Sequence, residues 1–133
     1  MRKTIVLTAS AYVILGMGVS LLADYVVCRI VVYCDLSRPI KNFFVFYSDG
    51  LTGLALGLVL GLARVRRTYV GCVLCGVLAR HTVSLGLLLS LWNGRRVGIF
   101  LWNAGLSVVG LLLGYLGGRL GGRTLTWEAT RRA

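Results

Sequence analysis

The chain alternates long apolar runs with short polar connectors. The first run begins at Thr4, directly after Arg2 and Lys3, and meets its first charge at Asp24. About 20 residues of helix measure roughly 30 Å, the thickness of a bilayer's hydrocarbon core. Three later runs have similar lengths, so the pattern predicts four membrane spans, at about 4–23, 43–63, 68–92 and 97–118.

The connectors predict how these spans are arranged. The first connector, residues 35–42, contains the only proline, Pro39, which predicts a break between two helices. Lipid satisfies no backbone polar group, so only helices or closed barrels span it, and the strand-like alternation of a barrel is absent. We expect an all-α fold: an antiparallel up-down bundle of four transmembrane helices over 1–118, with a basic cytoplasmic or interfacial tail at 119–133.

The first run has an alternative interpretation as a cleaved signal peptide. Its apolar stretch is longer than the 7–15 residues typical of such peptides, and cleavage after Ala23 would place Leu21 where a small residue belongs. Both features favour a membrane span. The segment from Tyr25 to Cys34 is also apolar apart from Arg29, which is compatible with a longer or tilted first helix.

Composition excludes a soluble domain, because 57% of the residues are apolar, only 14% are charged, and mean hydropathy is +0.82. The net charge of +11 is scattered between the apolar runs, which indicates membrane topology rather than nucleic-acid binding. Nine Lys and Arg residues lie on one predicted side and five on the other, so the positive-inside rule predicts both termini in the cytoplasm of a cell (inner or plasma) membrane. As partners we expect the lipid bilayer, with anionic lipid at the basic tail, and no nucleic acid.

Glycines recur at every fourth position in spans two and four. Residues four apart share one helical face, so each series predicts a glycine zipper, a smooth groove into which a neighbouring helix packs closely. Either the two grooves pack the four helices of one chain together, or one of them contacts other subunits. The glycines of these two series are Gly53, Gly57 and Gly61 in span two, and Gly110, Gly114, Gly118 and Gly122 in span four.

Polar side chains interrupt the spans at similar estimated depths. Counted from the cytoplasmic ends, Asp49, Arg80, His81 and Asn103 all lie about 18–22 Å into the membrane, and Asp24 joins them if the bundle tilts. The simplest arrangement is an Asp49–Arg80 ion pair, since burying either charge alone in a low-dielectric medium costs free energy. Three roles remain open for this intramembrane polar layer: fixing helix register, forming a proton or ion pathway, or ligating a haem or chlorin metal through His81.

Cysteines form two spaced pairs. Cys72 and Cys75 form a CxxC that resembles the one in quinone-linked membrane disulfide oxidoreductases, which are also four-helix bundles. The resemblance covers that tetrapeptide and Arg80, and it implies thiol redox chemistry with Cys28 and Cys34 as the second pair. Topology argues against it, because the two pairs fall near opposite membrane faces while thiol exchange requires sulfur contact. The same separation disfavours a zinc site, and packing is the simpler role.

These observations favour a small multi-pass protein that acts as an oligomerising or accessory subunit of a larger membrane complex. The alternative is a small ion or proton transporter or channel lined by the polar layer, and a thiol-disulfide oxidoreductase is a more remote alternative. The sequence contains no phosphate-binding loop, nucleophile elbow or metal-ligand spacing, so we expect no enzyme, no metal and no cofactor. Homo-oligomers or other membrane subunits are the expected protein partners.

Overall fold

The computed structural model describes the backbone of residues 1–90 and 94–132, and their side chains except at 87–90, 94–96 and 126. It contains four α-helices, whose bounds are α1 Arg2–Tyr33, α2 Arg38–Leu62, α3 Arg67–Ser90 and α4 Gly94–Arg132. Each is long and apolar enough to cross a membrane. The prediction of an all-helical chain with four helices suited to membrane spanning is thereby confirmed. The predicted end of the third span at Trp92 lies outside the described residues.

The first connector is shorter than the sequence predicts. α1 continues ten residues beyond Ala23, with the Arg29 guanidinium lying over the rings of Tyr25 and Tyr33, at 5.5 and 4.8 Å from their centroids. This cation–π contact accommodates the one charge in that segment. α2 starts at Arg38 rather than at residue 43, because Pro39 occupies the first turn, where a missing N–H breaks no helical hydrogen bond.

The turn between α2 and α3 is a Schellman-type helix end. Arg64 adopts a left-handed conformation with φ 56°, its N–H donates to the Gly61 carbonyl, and the Val65 N–H donates to the Leu60 carbonyl. These bonds satisfy carbonyls that the end of α2 would otherwise leave without partners. The chain thereby reverses within four residues and starts α3 at Arg67.

The tail forms no separate element, because α4 runs without interruption to Arg132. Its 39 residues measure about 58 Å, well beyond the hydrocarbon thickness. At the start of this extension the Arg119 Nε donates a 3.0 Å hydrogen bond to the Tyr115 hydroxyl, which itself donates to the Val65 carbonyl at 2.8 Å. The basic C-terminal segment is therefore a continuation of the fourth helix.

Two parallel helix pairs make the closest contacts, α1 with α3 and α2 with α4. On α1 and α3, the rings of Tyr12 and Tyr69 stack with centroids 4.9 Å apart, and a Cβ on Gly16 would collide with the Val73 carbonyl. On the other pair, Asn103 and Ser107 bond to the backbone of Val45 and Asp49, both 58 positions earlier. In each pair, residues later in one helix contact residues later in the other, so the two helices run in the same direction.

The α2–α4 contact has an internal twofold pattern. Gly57 and Gly114 occupy equivalent positions: a Cβ on Gly57 would lie 2.9 Å from the Tyr115 nitrogen, and one on Gly114 would lie 2.9 Å from the Leu58 nitrogen. The same reciprocity relates Gly53 to Gly110 and Gly61 to Gly118, at a constant separation of 57 positions. An approximate twofold axis parallel to the helices therefore relates α2 to α4 across this contact.

Candidate functional site

An ion pair joins α1 to α3 inside the bundle. Arg80 and Asp24 are in direct contact through the guanidinium and a carboxylate oxygen, and the Arg80 side chain is only 10% exposed. This partner differs from the predicted Asp49. The reason lies in the register of α1 on α3, which places Asp24 level with Arg80, and in the continuation of α1 to Tyr33, which keeps Asp24 within the helix.

His81 extends this ion pair toward α4. A guanidinium nitrogen of Arg80 lies 3.3 Å from His81 Nδ1, and His81 Nε2 lies 3.3 Å from the Ser107 hydroxyl. A guanidinium only donates, so Nδ1 must accept and the proton of the neutral imidazole lies on Nε2. The ring is 2% exposed and meets Phe100 edge-on, so Arg80 and Ser107 are its hydrogen-bond partners inside the bundle.

Ser107 completes a chain of polar contacts through all four helices. Its hydroxyl accepts from His81 and donates to the Asp49 carbonyl oxygen at 3.3 Å. The path runs from Asp24 on α1 through Arg80 and His81 on α3 to Ser107 on α4 and Asp49 on α2. We call these five residues the polar chain. Arg80 donates both to the Asp24 carboxylate on α1 and to His81, and the hydrogen bonds from His81 onward point toward α2, where they end on the backbone carbonyl of Asp49.

Asp49 lines a cavity at the centre of the bundle, to which all four helices contribute. Asp49 is 8% exposed, and the cavity has a volume of about 10 Å³, room for about one water molecule. Hydroxyl-bearing residues from three helices share its lining: Ser20 of α1, Thr52 of α2 and Ser107 of α4. Arg80 is paired with Asp24, and among the described side chains no Arg or Lys forms an ion pair with Asp49.

Asn103 lies one helical turn from this chain, on the same face of α4 as Ser107. Its amide nitrogen donates to the Val45 carbonyl at 3.0 Å, and its amide oxygen is buried with no partner among the described residues. The residue therefore joins α4 to α2 beside the polar chain rather than bonding to Arg80 or His81.

The glycines explain how α2 and α4 come close enough for these bonds. Cβ atoms on Gly53, Gly57 or Gly61 would collide with carbonyl oxygens of α4, and Cβ atoms on Gly110, Gly114 or Gly118 would collide with carbonyl oxygens of α2. Ser107, which bonds to Asp49, is the residue whose carbonyl meets Gly53. At Gly122 a Cβ would meet open space, so this last member of the series does not contribute to the contact.

The cysteines are free thiols at different levels of the bundle. In the register that pairs Tyr12 with Tyr69, Cys28 lies level with Leu85 on α3, about 20 Å along the axis from Cys72. Sulfur contact between the two pairs is thereby excluded in this conformation. Across the described residues, no group of three His, Cys, Asp or Glu side chains is placed to hold a metal ion.

Ser107, Thr52 and Ser20 are the site residues that sequence reasoning missed. A serine in an apolar helix carries little signal, because its hydroxyl ordinarily bonds to its own helix. The usable signal was positional: Ser107 lies one turn after Asn103 and one turn before Gly110, on the face that the glycines mark.

Comparison with known proteins identifies no relative. No protein-family model matches the chain, and searches of curated proteins and of solved structures found no significant match. The function is therefore inferred from the site itself.

Proposed function

We propose that this protein is a small multi-pass membrane transporter or channel in which the Asp49 carboxylate binds a proton or another monovalent cation in transit, beside the polar chain. The observation that supports this proposal is Asp49, a buried acidic residue that lines a water-sized cavity and has no Arg or Lys ion-pair partner among the described side chains. Ionisable groups within a membrane bundle are expensive and mark ion or proton pathways. A chain that only fixed helix register would need the Asp24–Arg80 pair alone.

Charge balance indicates the valence of the transferred species. Asp24 and Arg80 neutralise each other, and His81 is neutral in the tautomer that its hydrogen bonds require. Asp49 then leaves one uncompensated negative charge in a low-dielectric interior, which a single proton or monovalent cation neutralises. A divalent ion would leave an excess positive charge beside Arg80.

The lining of the cavity favours a cation over an anion. The Thr52 hydroxyl donates to the Ser48 carbonyl at 2.8 Å, and the Ser107 hydroxyl donates to the Asp49 carbonyl. Both hydroxyl protons are committed to backbone oxygens, so these groups present lone pairs to other neighbours. Oxygen lone pairs together with a carboxylate form a set of acceptors that suits a cation or a protonated carboxyl group.

The proposed topology is an antiparallel up-down bundle with both termini in the cytoplasm. Four-residue turns such as the one at Arg64 support alternating directions, and the facing glycine series support zipper packing within the chain. The excess of Lys and Arg at the termini and at this turn supports the orientation. In transporters built from parallel repeats, sites lie near mid-membrane at the repeat interface, and a polar chain that links the α1–α2 half of the molecule to the α3–α4 half supports such an arrangement.

Flux through proteoliposomes tests this function. The purified protein is expected to dissipate an imposed proton or sodium gradient faster than empty vesicles, and Asp49→Asn is expected to reduce that flux at least about tenfold, because the amide carries no charge for a cation to neutralise. Asp35→Asn is the matched control, since Asp35 is exposed in the first connector. Equal flux in Asp49→Asn and Asp35→Asn, or none in the wild type for protons, sodium and potassium, would reject the proposal.

A second candidate is the subunit of a larger membrane complex, or a homo-oligomer. It is favoured by four small residues on the exposed side of α3, Cys75, Ala79, Thr82 and Gly86, which recur at helical spacing. The inward glycines are used within the chain, so this exposed stripe is the surface that the second candidate requires. Gly86→Leu, which meets open space within the chain, is expected to reduce the size of the detergent-solubilised complex, while Gly105→Leu on α4 serves as its control.

A further inference from the structure

An amphipathic groove lies between the start of α3 and the last third of α4. Its basic part has a volume of about 310 Å³ and is lined by Arg67, Arg119 and Arg123 together with Tyr115 and two leucines. Its apolar part, about 290 Å³, is lined by Val70, Gly71, Leu74 and Leu112 and shares Arg67, Tyr115 and Leu116 with the basic part. The two volumes therefore form one continuous groove with a cationic end and an apolar end.

The cationic end is held in place by the fold. Arg119 Nε donates to the Tyr115 hydroxyl, and its guanidinium carbon lies 5.5 Å from the centre of that ring. Tyr115 is itself fixed by its bond to the Val65 carbonyl, so the Arg119 guanidinium is oriented before any ligand arrives. Arg67 approaches from the first turn of α3, which brings arginines of two helices to one groove.

The position of these arginines along the bundle fits a membrane interface. Arg119 follows directly after Gly118, the last glycine packed between α2 and α4, and Arg67 begins α3 after the exposed α2–α3 turn. The apolar part extends from them along the outside of α3 past Gly71 and Leu74, toward the middle of the helix. A lipid at a bilayer surface has the same order of chemistry, a charged headgroup followed by an acyl chain.

We propose that this groove binds one anionic phospholipid, with its phosphate at Arg67, Arg119 and Arg123 and one acyl chain along Gly71 and Leu112. Guanidinium groups bind phosphate oxygens through paired, charge-assisted hydrogen bonds. Gly71 lines the apolar part, and a Cβ there would have no atom of the chain within 4 Å. The absence of a side chain at this position leaves room for an acyl chain. The site is independent of the polar chain and of the transport proposed above.

Native mass spectrometry of the full chain, released from nanodiscs, tests this binding. In nanodiscs of equal phosphatidylcholine and phosphatidylglycerol content, the wild-type protein is expected to retain one phosphatidylglycerol in preference to phosphatidylcholine. Arg67→Gln and Arg119→Gln are each expected to lower the retained fraction about fivefold, by removing charge-assisted bonds. Arg131→Gln and Arg132→Gln change the same charge on the same helix outside the groove and are expected to retain the lipid.

A second variant addresses the apolar end without altering charge. Gly71→Leu fills the groove beside Leu112 while meeting no atom of the chain within 4 Å at its Cβ, so it is expected to fold and to lose the lipid. Equal loss in the Arg131→Gln control would indicate diffuse attraction of the whole basic segment and overturn the site. Stabilisation of the detergent-solubilised protein by inorganic phosphate to the same extent as by phosphatidylglycerol would show a free-anion site and overturn the lipid assignment.

Discussion

Ser107 on α4 donates its hydroxyl proton to the backbone carbonyl of Asp49 on α2, at a distance of 3.3 Å. The same hydroxyl accepts from His81, so one serine joins the two halves of the molecule at the centre of the polar chain. The contact forms where Gly53 lets the backbones of α2 and α4 meet. Helix packing and the proposed cation pathway therefore depend on the same few atoms.

Removal of this hydroxyl is the first prediction. Ser107→Ala deletes a donor to Asp49 and an acceptor for His81, both buried, so we expect a loss of about 1–2 kcal/mol in the free energy of unfolding. Unfolding by a denaturing detergent from mild micelles provides the measurement. Ser10→Ala is the control, because Ser10 is exposed on α1. Equal stability of Ser107→Ala and Ser10→Ala would show that the Ser107 hydroxyl forms no stabilising hydrogen bond with His81 or Asp49.

Glycine-to-alanine substitutions are predicted to lower stability on the packed helix faces and not to lower it on the exposed faces. A methyl group at Gly57 collides with the Leu111 carbonyl, so Gly57→Ala should destabilise the fold by about 1–3 kcal/mol. At Gly105, where the space is open, alanine should be neutral or stabilise by up to about 1 kcal/mol through its better helix propensity. Thermal unfolding in detergent compares the two. A similar effect at both positions would contradict close packing of α2 on α4.

The Asp24–Arg80 pair is predicted to show strong energetic coupling. Arg80→Met leaves a carboxylate in the bundle without its cation, and Asp24→Asn leaves the guanidinium without its anion, so each should cost about 3 kcal/mol. The double variant should cost clearly less than the sum of the single variants, since neither charge is then left alone. A double-mutant cycle of unfolding free energies measures this coupling. Strict additivity would mean that the two residues do not interact.

The length of the apolar runs was sufficient to predict four helices, because the charges that interrupt them are few and widely spaced. Which helices are neighbours is not contained in that pattern. Asp24 rather than Asp49 pairs with Arg80 because α1 packs on α3. Hydropathy along the chain does not indicate which helices pack together. The glycine spacing indicated close approach of α2 and α4 to neighbouring helices, and every member of the two series except Gly122 lies where these two helices meet. It did not reveal that they face each other, although the 57-residue separation of the two series was present in the sequence.

Tyr115 is predicted to anchor α4 to the α2–α3 turn. Its hydroxyl donates to the Val65 carbonyl at 2.8 Å, and the residue is 6% exposed, so Tyr115→Phe should lose about 1 kcal/mol of stability. Tyr33→Phe provides the control, since Tyr33 is 72% exposed at the end of α1. Because Arg119 is oriented by the same hydroxyl, Tyr115→Phe should also weaken retention of the anionic lipid. Unchanged stability and unchanged lipid retention together would contradict this anchoring role.

The native cysteines provide a test of the proposed orientation. Cys34 is exposed at the end of α1, beside the first connector, whereas the other three cysteines lie within helices α1 and α3. With both termini cytoplasmic, a membrane-impermeant maleimide added to intact cells should label Cys34, and Cys34→Ser should remove most of that label. The hydrocarbon core shields thiols within the spans, so Cys28→Ser should change it little. A Cys34 thiol that is labelled only after the cells are permeabilised would place the termini outside and reverse the predicted topology.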